Sequence, residues 1–454
     1  MRESSSEILL PKSTGETRPE TVEETWNARN IVLLLSMCLV YFVLYAAYSV
    51  YAPFLPSEAE DRGVSKIYVG LIFGSYAFAI FLTSPPWGVL VPKYGARNIL
   101  LTGIFIAGTS LMLMGFGEVI FDPTMFIVFC FVLRITSAIG AAAAETSVLA
   151  FVLQRFPNNT GAIAAGMQLS CLGGNSFAPV FGGFLYTVGG FKLPFIIMGI
   201  ILLCSTGILA FLLSHETESQ KDDESKESIS ICKSMRPLKI PAVFMMEFTS
   251  VIGCLCYGFI QPILAPQLRK LGQNSVQIGL VFFFFAGFNA LSAIALGFIA
   301  DKTKCYRLLL LFGVVTFSIG YLLLGPAPFL PFLPADELWL IRFAIAFTGF
   351  FTAFFYVPLL PEILKVASEN GMPENEETKA VLSSLYNTMS YLGLFIGPSL
   401  GGALAEHFGF AWAVTVAALI GLALALTLLI FTLVENASQR KNSNRKEEKL
   451  SLLN

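Results

Sequence analysis

The chain is divided into apolar runs, each about as long as a bilayer is thick, and that pattern admits very few folds. Setting runs against polar breaks places twelve spans at 30–54, 66–91, 99–117, 124–152, 160–187, 192–214, 241–266, 275–300, 307–325, 337–362, 378–404 and 408–434. Hydrocarbon offers no partner for a backbone N–H or C=O, so every span is predicted to be helical, prolines included. Composition agrees, since 55% of the 454 residues are apolar and 13% are charged, about half the charge of a soluble domain. A net charge of -2 leaves no positive excess for a polyanion, so a lipid bilayer and not a nucleic acid is the expected partner. Eight cysteines, mostly in apolar runs, read as small fillers, and two histidines supply no metal-ligand spacing. No metal and no cofactor are expected.

The first 29 residues are polar and lack a signal-peptide pattern, so the first span is expected to act as its own signal. A polar stretch at 215–240, rich in Ser, Lys, Asp and Glu, reads as a flexible linker. The expected organisation is a tail at 1–29, a six-helix half at 30–214, the linker at 215–240, a second half at 241–434 and a tail at 435–454. Lys and Arg number 22 in the segments on the side of the N-terminus and 5 on the opposite side, with Arg134 and Arg342 inside spans. That bias predicts cytosolic termini.

The halves repeat. Gly88, Lys93, Gly95 and Arg97 after span 2 answer Gly297, Asp301, Lys302 and Arg307 after span 8, and Gly88 and Gly297 are 209 residues apart. Arg134 and Arg342 are separated by 208, and Ala178-Pro179-Val180-Phe181-Gly182-Gly183 answers Gly397-Pro398-Ser399-Leu400-Gly401-Gly402 at an offset of 219. Two six-helix pseudo-repeats enclosing a central cavity near the midplane follow, an all-α membrane fold shared by many secondary transporters.

At these residues the chain resembles the major facilitator superfamily. Pro92 stands where that family's loop signature has an acid, and the second half lacks the second glycine. Arg134 followed by Gly140 resembles the span-4 motif, while Gly173, Pro179, Gly182 and Gly183 resemble the span-5 motif associated with antiporters. The stretches Pro53–Glu60, Gly70–Gly74, Leu324-Gly325-Pro326 and Pro361–Leu364 look like the vesicular amine transporters, most similar to their polyamine branch. The resemblance implies proton-coupled uptake of organic cations into an acidic vesicle. Span 1, however, carries no acid; Gln261 precedes Pro262, span 11 has Asn387, and Gln168 stands where the polyamine branch has an acid.

Charge inside a membrane is costly unless paired or hydrated, so it is a functional signal. Arg134 and Glu145 lie eleven apart on one face of span 4, separated by about 16 Å, too far for an ion pair. Arg134 is expected to organise the cavity, and Glu145 to bind a cation or carry a proton. Glu247 in span 7 is a further coupling candidate, whereas Glu362 reads as a residue at the end of span 10. Tyr41, Tyr45 and Tyr48 form a stripe on span 1 that extends to Tyr51 near the interface. Aromatic faces attract ammonium groups by about 0.5–2 kcal/mol each. Gln168, Gln261 and Asn387 are candidates to orient a polar substrate.

Pro179 and Pro398 remove backbone bonds, and Gly182, Gly183, Gly397, Gly401 and Gly402 permit close packing, so these segments are expected to gate alternating access. Gly88, Gly95, Arg97, Asp301 and Arg307 are expected to latch the cytosolic side. Glu448, Leu452 and Leu453 resemble an acidic dileucine sorting signal, which implies a clathrin-adaptor partner and an intracellular vesicle or endolysosomal membrane, with the plasma membrane as alternative. No phosphate-cradling loop and no nucleophile–base pair is present, which speaks against a pump driven by ATP and against an enzyme. The expected function is a monomeric secondary transporter exchanging protons for small organic cations. A carrier for a neutral or anionic solute, or a scaffold that no longer transports, are the alternatives.

Overall fold

The computed structural model describes residues 27–156, 160–214, 235–325, 334, 337–373 and 375–451. The first-half helices are α1 (Ala28–Ser49), α2 (Lys66–Tyr94), α3 (Ala96–Met114), α4 (Pro123–Arg155), α5 (Thr160–Gly189) and α6 (Lys192–Leu212). The second half holds α7 (Pro241–Phe259), α8 (Ser275–Thr303), α9 (Tyr306–Leu324) and α10 (Leu338–Glu369). The helical stretch Glu376–Ser451 breaks at Gly409, giving α11 (376–408) and α12 (410–451). Ten stretches among the described residues are long and apolar enough to cross a membrane, and one, Thr378–Ala437, has 60 residues and supplies two crossings. The 30 residues of α5 rise ~45 Å, which completes twelve.

Two details differ from the sequence reading. Span 7 is interrupted after Phe259 and continues as a second helix, Gln261–Lys270, with Pro262 in its first turn where a missing N–H costs nothing. A short helix, Leu55–Asp61, follows α1 at what we term the far end of the bundle. The tail end is the one where α1 begins.

Local chemistry sets the turns. Asp122 caps α4 by accepting from the Met125 N–H at 2.7 Å, and Asn274 and Gln277 form a reciprocal capping box at the start of α8. A single residue, Gly95, joins α2 to α3 at φ +86°. Its counterpart 209 positions on is Lys304, held at φ +52°, a region that costs a side chain about 1–2 kcal/mol and a glycine almost nothing.

One apolar core has all its buried members between Leu33 and Leu213, while two others lie between Ala242 and Leu428. Two seams join these bodies near the far end, α2 with α11 and α5 with α8. Each seam is backbone against backbone. A Cβ on Gly183 would strike the Ser275 carbonyl, and one on Gly279 the Pro179 carbonyl. In the same way Gly402 meets Lys66, and Gly70 meets Pro398. Polar contacts reinforce this closure: Arg269 pairs with Asp61 at 2.6 Å, and Glu406 accepts from the Lys66 N–H at 3.0 Å. Toward the tail end of the same helices, Gly88, Gly166, Gly287 and Gly297 have nothing among the described residues within 4 Å of a Cβ position.

Arg307, expected to latch the tail side, is bonded within the second half. Its Nε donates to Glu362 of α10 and its Nη1 to Glu435 of α12, so three helices are tied by one guanidinium. Glu362 is only 1% exposed, which makes it a buried ion-pair partner at this end of α10.

Two predictions follow from this packing. Gly183→Val and Gly402→Val should each destabilise the purified protein by ~1–3 kcal/mol through overpacking, while Gly88→Val leaves its thermal melt unchanged. Arg307→Met should cost ~3–5 kcal/mol by stranding the buried Glu362 charge, with Glu362→Gln in the same chain recovering part of the melt.

Candidate functional site

Two polar centres lie along the inner face of α4. At Glu145, which is half-buried, the Tyr391 hydroxyl of α11 donates to Oε2 at 3.1 Å. Tyr41 and Tyr45 of α1 face the same carboxylate, with their rings 5.2 Å apart, and Cys171 of α5 closes another side. A single acid is therefore surrounded by aromatic hydroxyls drawn from both halves. Such a carboxylate can attract an ammonium group, give up or take a proton, and change its bond to Tyr391 as it does so.

The second centre is Arg134, 2% exposed. Its guanidinium lies over the rings of Tyr51 at 4.2 Å, Tyr76 at 4.4 Å and Tyr48 at 5.8 Å. Its Nε and Nη2 have no hydrogen-bond partner among the described residues. The aromatic faces attract the cation without neutralising it. Tyr76 of α2 also faces Glu145, so it stands between the two centres. Arg342, the repeat counterpart of Arg134, is instead exposed and donates to Gln273 at 2.9 Å.

Between the halves, the Tyr48 hydroxyl donates to Gln261 Oε1 at 3.3 Å. Both residues line a small cavity of about 40 Å³ with Asn175, Pro179, Tyr257 and Phe282. The break after Phe259 is what brings Gln261 into this wall, at the start of the second segment of span 7.

The other candidates are dispersed. Gln168 and Asn387 are exposed, away from the walls of this cavity. Glu247 is buried, with both carboxylate oxygens unbonded among the described residues. Pro179, Gly182 and Gly183, with Gly397, Pro398, Gly401 and Gly402, lie in close helix contacts: Gly182 against Val50, Gly397 against Leu255 and Gly401 against Phe259. Gly95 makes the α2–α3 turn, Arg97 begins α3, and Asp301 lies in the last turn of α8. Glu448 belongs to the helical stretch that continues to Ser451, while Leu452 and Leu453 lie outside the described residues.

Three participants were missed in the sequence. Tyr51, read as interfacial, is 1% exposed beneath Arg134. It lies three residues after Tyr48, so the helical period could have placed it on that face. Tyr391 lies four after Asn387, the same kind of signal. Tyr76 carries none, because its role comes only from the packing of α2 against α4.

The comparisons with known proteins fit this architecture. The chain is 31% identical to the human "MFS-type transporter SLC18B1" over 98% of its own length and 97% of that protein's. It is 24% identical to the multi-drug resistance efflux pump PmrA of Streptococcus pneumoniae serotype 4, over 81% and 88%. Among solved structures, a bacterial homologue of the human lysosomal transporter Spinster, in an inward-facing and occupied conformation, superposes with a TM-score of 0.69. That match has 14% identity and covers 89% of this chain and 97% of the other. The D-xylose-proton symporter gives 0.68 at 15% identity, covering 88% and 96%. The model of the Major Facilitator Superfamily matches residues 37–372 and 248–454. With twelve helices, a repeated pair of seams and relatives that are transporters and not enzymes, the chain belongs to the major facilitator superfamily.

Proposed function

We propose that this transporter exchanges protons for small organic cations, polyamines or monoamines, and loads them into acidic vesicles. The carrying observation is Glu145, a carboxylate within the bundle ringed by hydroxyls from both halves and bonded across them to Tyr391. A cation arriving from the tail end would replace the carboxyl proton and accept the faces of Tyr41, Tyr45 and Tyr48. The bond to Tyr391 would then exchange for one to the cargo, loosening one contact between α4 and α11. Parting of the glycine seams would open the far end, where an acidic lumen returns the proton to Glu145 and releases the cation. Arg134, held among Tyr48, Tyr51 and Tyr76, organises the cavity on the far-end side of Glu145. The resemblance to vesicular amine transporters and the similarity to SLC18B1 support this reading.

In this reading the halves 30–214 and 241–434 rock against each other, the tails and linker are cytosolic, and the protein acts as a monomer. Gly88, Gly95, Arg97 and Asp301 latch the tail side when the far end opens, with Arg307 stiffening the half they close against. Gln168 and Asn387 contact cargo on the approach. Glu448, Leu452 and Leu453 serve vesicle sorting through a clathrin adaptor.

The unpartnered Nε and Nη2 of Arg134 favour a second reading, a carrier for a solute bearing an anionic or acceptor group. One experiment separates the two. Purified protein in liposomes with an acidified interior should accumulate radiolabelled spermidine. Glu145→Gln should lower that accumulation by about tenfold or more, equivalent to ~1.4 kcal/mol in the barrier. Monoamines should compete and organic anions should not. Transport blocked by anions and unaffected by Glu145→Gln would transfer the assignment to Arg134, and a protein that moves no solute under any gradient would be a scaffold.

A further inference from the structure

Glu247 presents a problem that neither of the two polar centres solves. It lies seven positions into α7, is 1% exposed, and has neither a hydrogen bond nor an ion pair among the described residues. Around it are the apolar residues of a second-half core, including Val243, Met246 and Leu359. A buried carboxylate without a donor is expensive when ionised. Glu362, equally buried, is instead paired with Arg307, and the half-buried Glu145 accepts from Tyr391. Packing alone would be served better by leucine.

The elements around α7 identify what this acid faces. Tyr386 of α11 packs against the same core and lies within electrostatic reach of the carboxylate, without a hydrogen bond to it. On α10, Tyr356 is bonded to Cys254, and Glu362 is held by Arg307. Tyr321 of α9 donates to the Cys256 carbonyl, and Glu435 of α12 is held by Arg307. Arg236 and Lys239, in the turn before α7, make no ion pair with Glu247. No charged group therefore compensates it among the described residues.

From Tyr386 a row of polar side chains follows the contact between α7 and α11. Tyr386 meets Ser390, whose Oγ is 2.9 Å from Ser250 Oγ. Both serines face Cys254, and the Tyr356 hydroxyl approaches Cys254 Sγ at 3.4 Å. The Tyr356 ring stands edge-on to Tyr257, with centroids 6.2 Å apart, and Tyr257 is a wall of the central cavity. Residues 247, 250, 254 and 257 recur at helical spacing, so they form one stripe along ~15 Å of α7. The stripe runs along α7 from the lone acid to a wall of the cavity.

We propose that Glu247 is a second protonation site, the proton store of the second half, and that the hydroxyl and thiol seam carries its proton to and from the cavity wall. This deepens the proton-exchange reading above and rests on it for the link to cargo. Protonation forms one O–H bond at a carboxylate oxygen. On release that bond breaks, and each bonded group of the seam takes one proton as it passes one on, so the seam keeps its charge and no electron moves; the end steps, from Glu247 to Tyr386 and from Tyr356 to the cavity wall, need side-chain rotation to bring donor and acceptor together. Beside the proton that exchanges with cargo at Glu145 in the first half, a second is then held at Glu247 in the second, and the rocking of one half against the other couples them.

The test has an arm that needs no cargo. The infrared C=O band of protonated carboxyl groups is titrated in the purified full-length protein, and Glu247→Gln should remove one titrating component that Glu145→Gln leaves in place. In liposomes, Glu247→Gln should retain spermidine exchange at equal pH but lose about tenfold of the accumulation driven by an acid interior, equivalent to ~1.4 kcal/mol. An unchanged carboxyl titration, undiminished accumulation, or loss of exchange together with accumulation would each overturn the proposal. Should Glu247→Gln fail to fold, Tyr386→Phe carries the test with the acid intact: a moved titration midpoint with exchange preserved supports the store, and an unmoved one refutes it. If the wild type transports no cation, the carrier reading falls, and the infrared arm alone decides whether Glu247 holds a proton.

Discussion

Everything in this structure depends on two places where backbone rests directly on backbone. Four glycines, Gly70, Gly183, Gly279 and Gly402, leave no room for a Cβ, and through them the halves meet. Lipid does not drive helices together hydrophobically, so the association depends on dispersion between close surfaces, and small residues supply the closeness. The contacts are also symmetric in the sequence. Gly70 and Gly279 differ by the 209 of the repeat, as do the carbonyl-bearing residues Lys66 and Ser275, while Gly183 and Gly402 differ by 219, as do Pro179 and Pro398. The repeat is therefore conserved in space at the points where one half touches the other.

Away from the seams the halves have diverged in chemistry. The first carries its charge on the axis, with Arg134 under three tyrosines and Glu145 beside Tyr391. In the second half the counterpart arginine, Arg342, is out on the surface. Glu247 lies in a core and Glu362 in a triad with Arg307 and Glu435. A symmetric scaffold thus holds an asymmetric interior.

Much of this was readable in the amino-acid order, and the limits were physical. Apolar run length located the helices, since a membrane fixes how long a crossing must be. Helical periodicity placed Arg134 and Glu145 on one face. The same periodicity identifies a face without naming the helix opposite, so the bond from Tyr391, 246 residues beyond Glu145, was invisible. Tyr76 was hidden for that reason too. Glu362 and Arg307 were assigned by their positions at helix ends, yet their meaning came from each other, 55 residues apart, and from Glu435. The interruption of span 7 had a signal in Pro262, but a proline can equally sit in a bent continuous helix, as Pro179 does.

The turn at Gly95 determines how movement can spread. With one residue between them, α2 and α3 have no slack to slide past each other, so a displacement of α2 is a displacement of its whole half. Gly70 in the seam and Gly95 at the opposite end of α2 are separated by 25 positions, a stiff arm of ~37 Å. Tilting that arm by ~10° about Gly70 sweeps its other end through ~6 Å, about one helical pitch. In the proposed cycle such a tilt would carry the Gly95 end of α2 inward as the seam at Gly70 loosens, so that closing of the tail side and opening of the far end would be one movement.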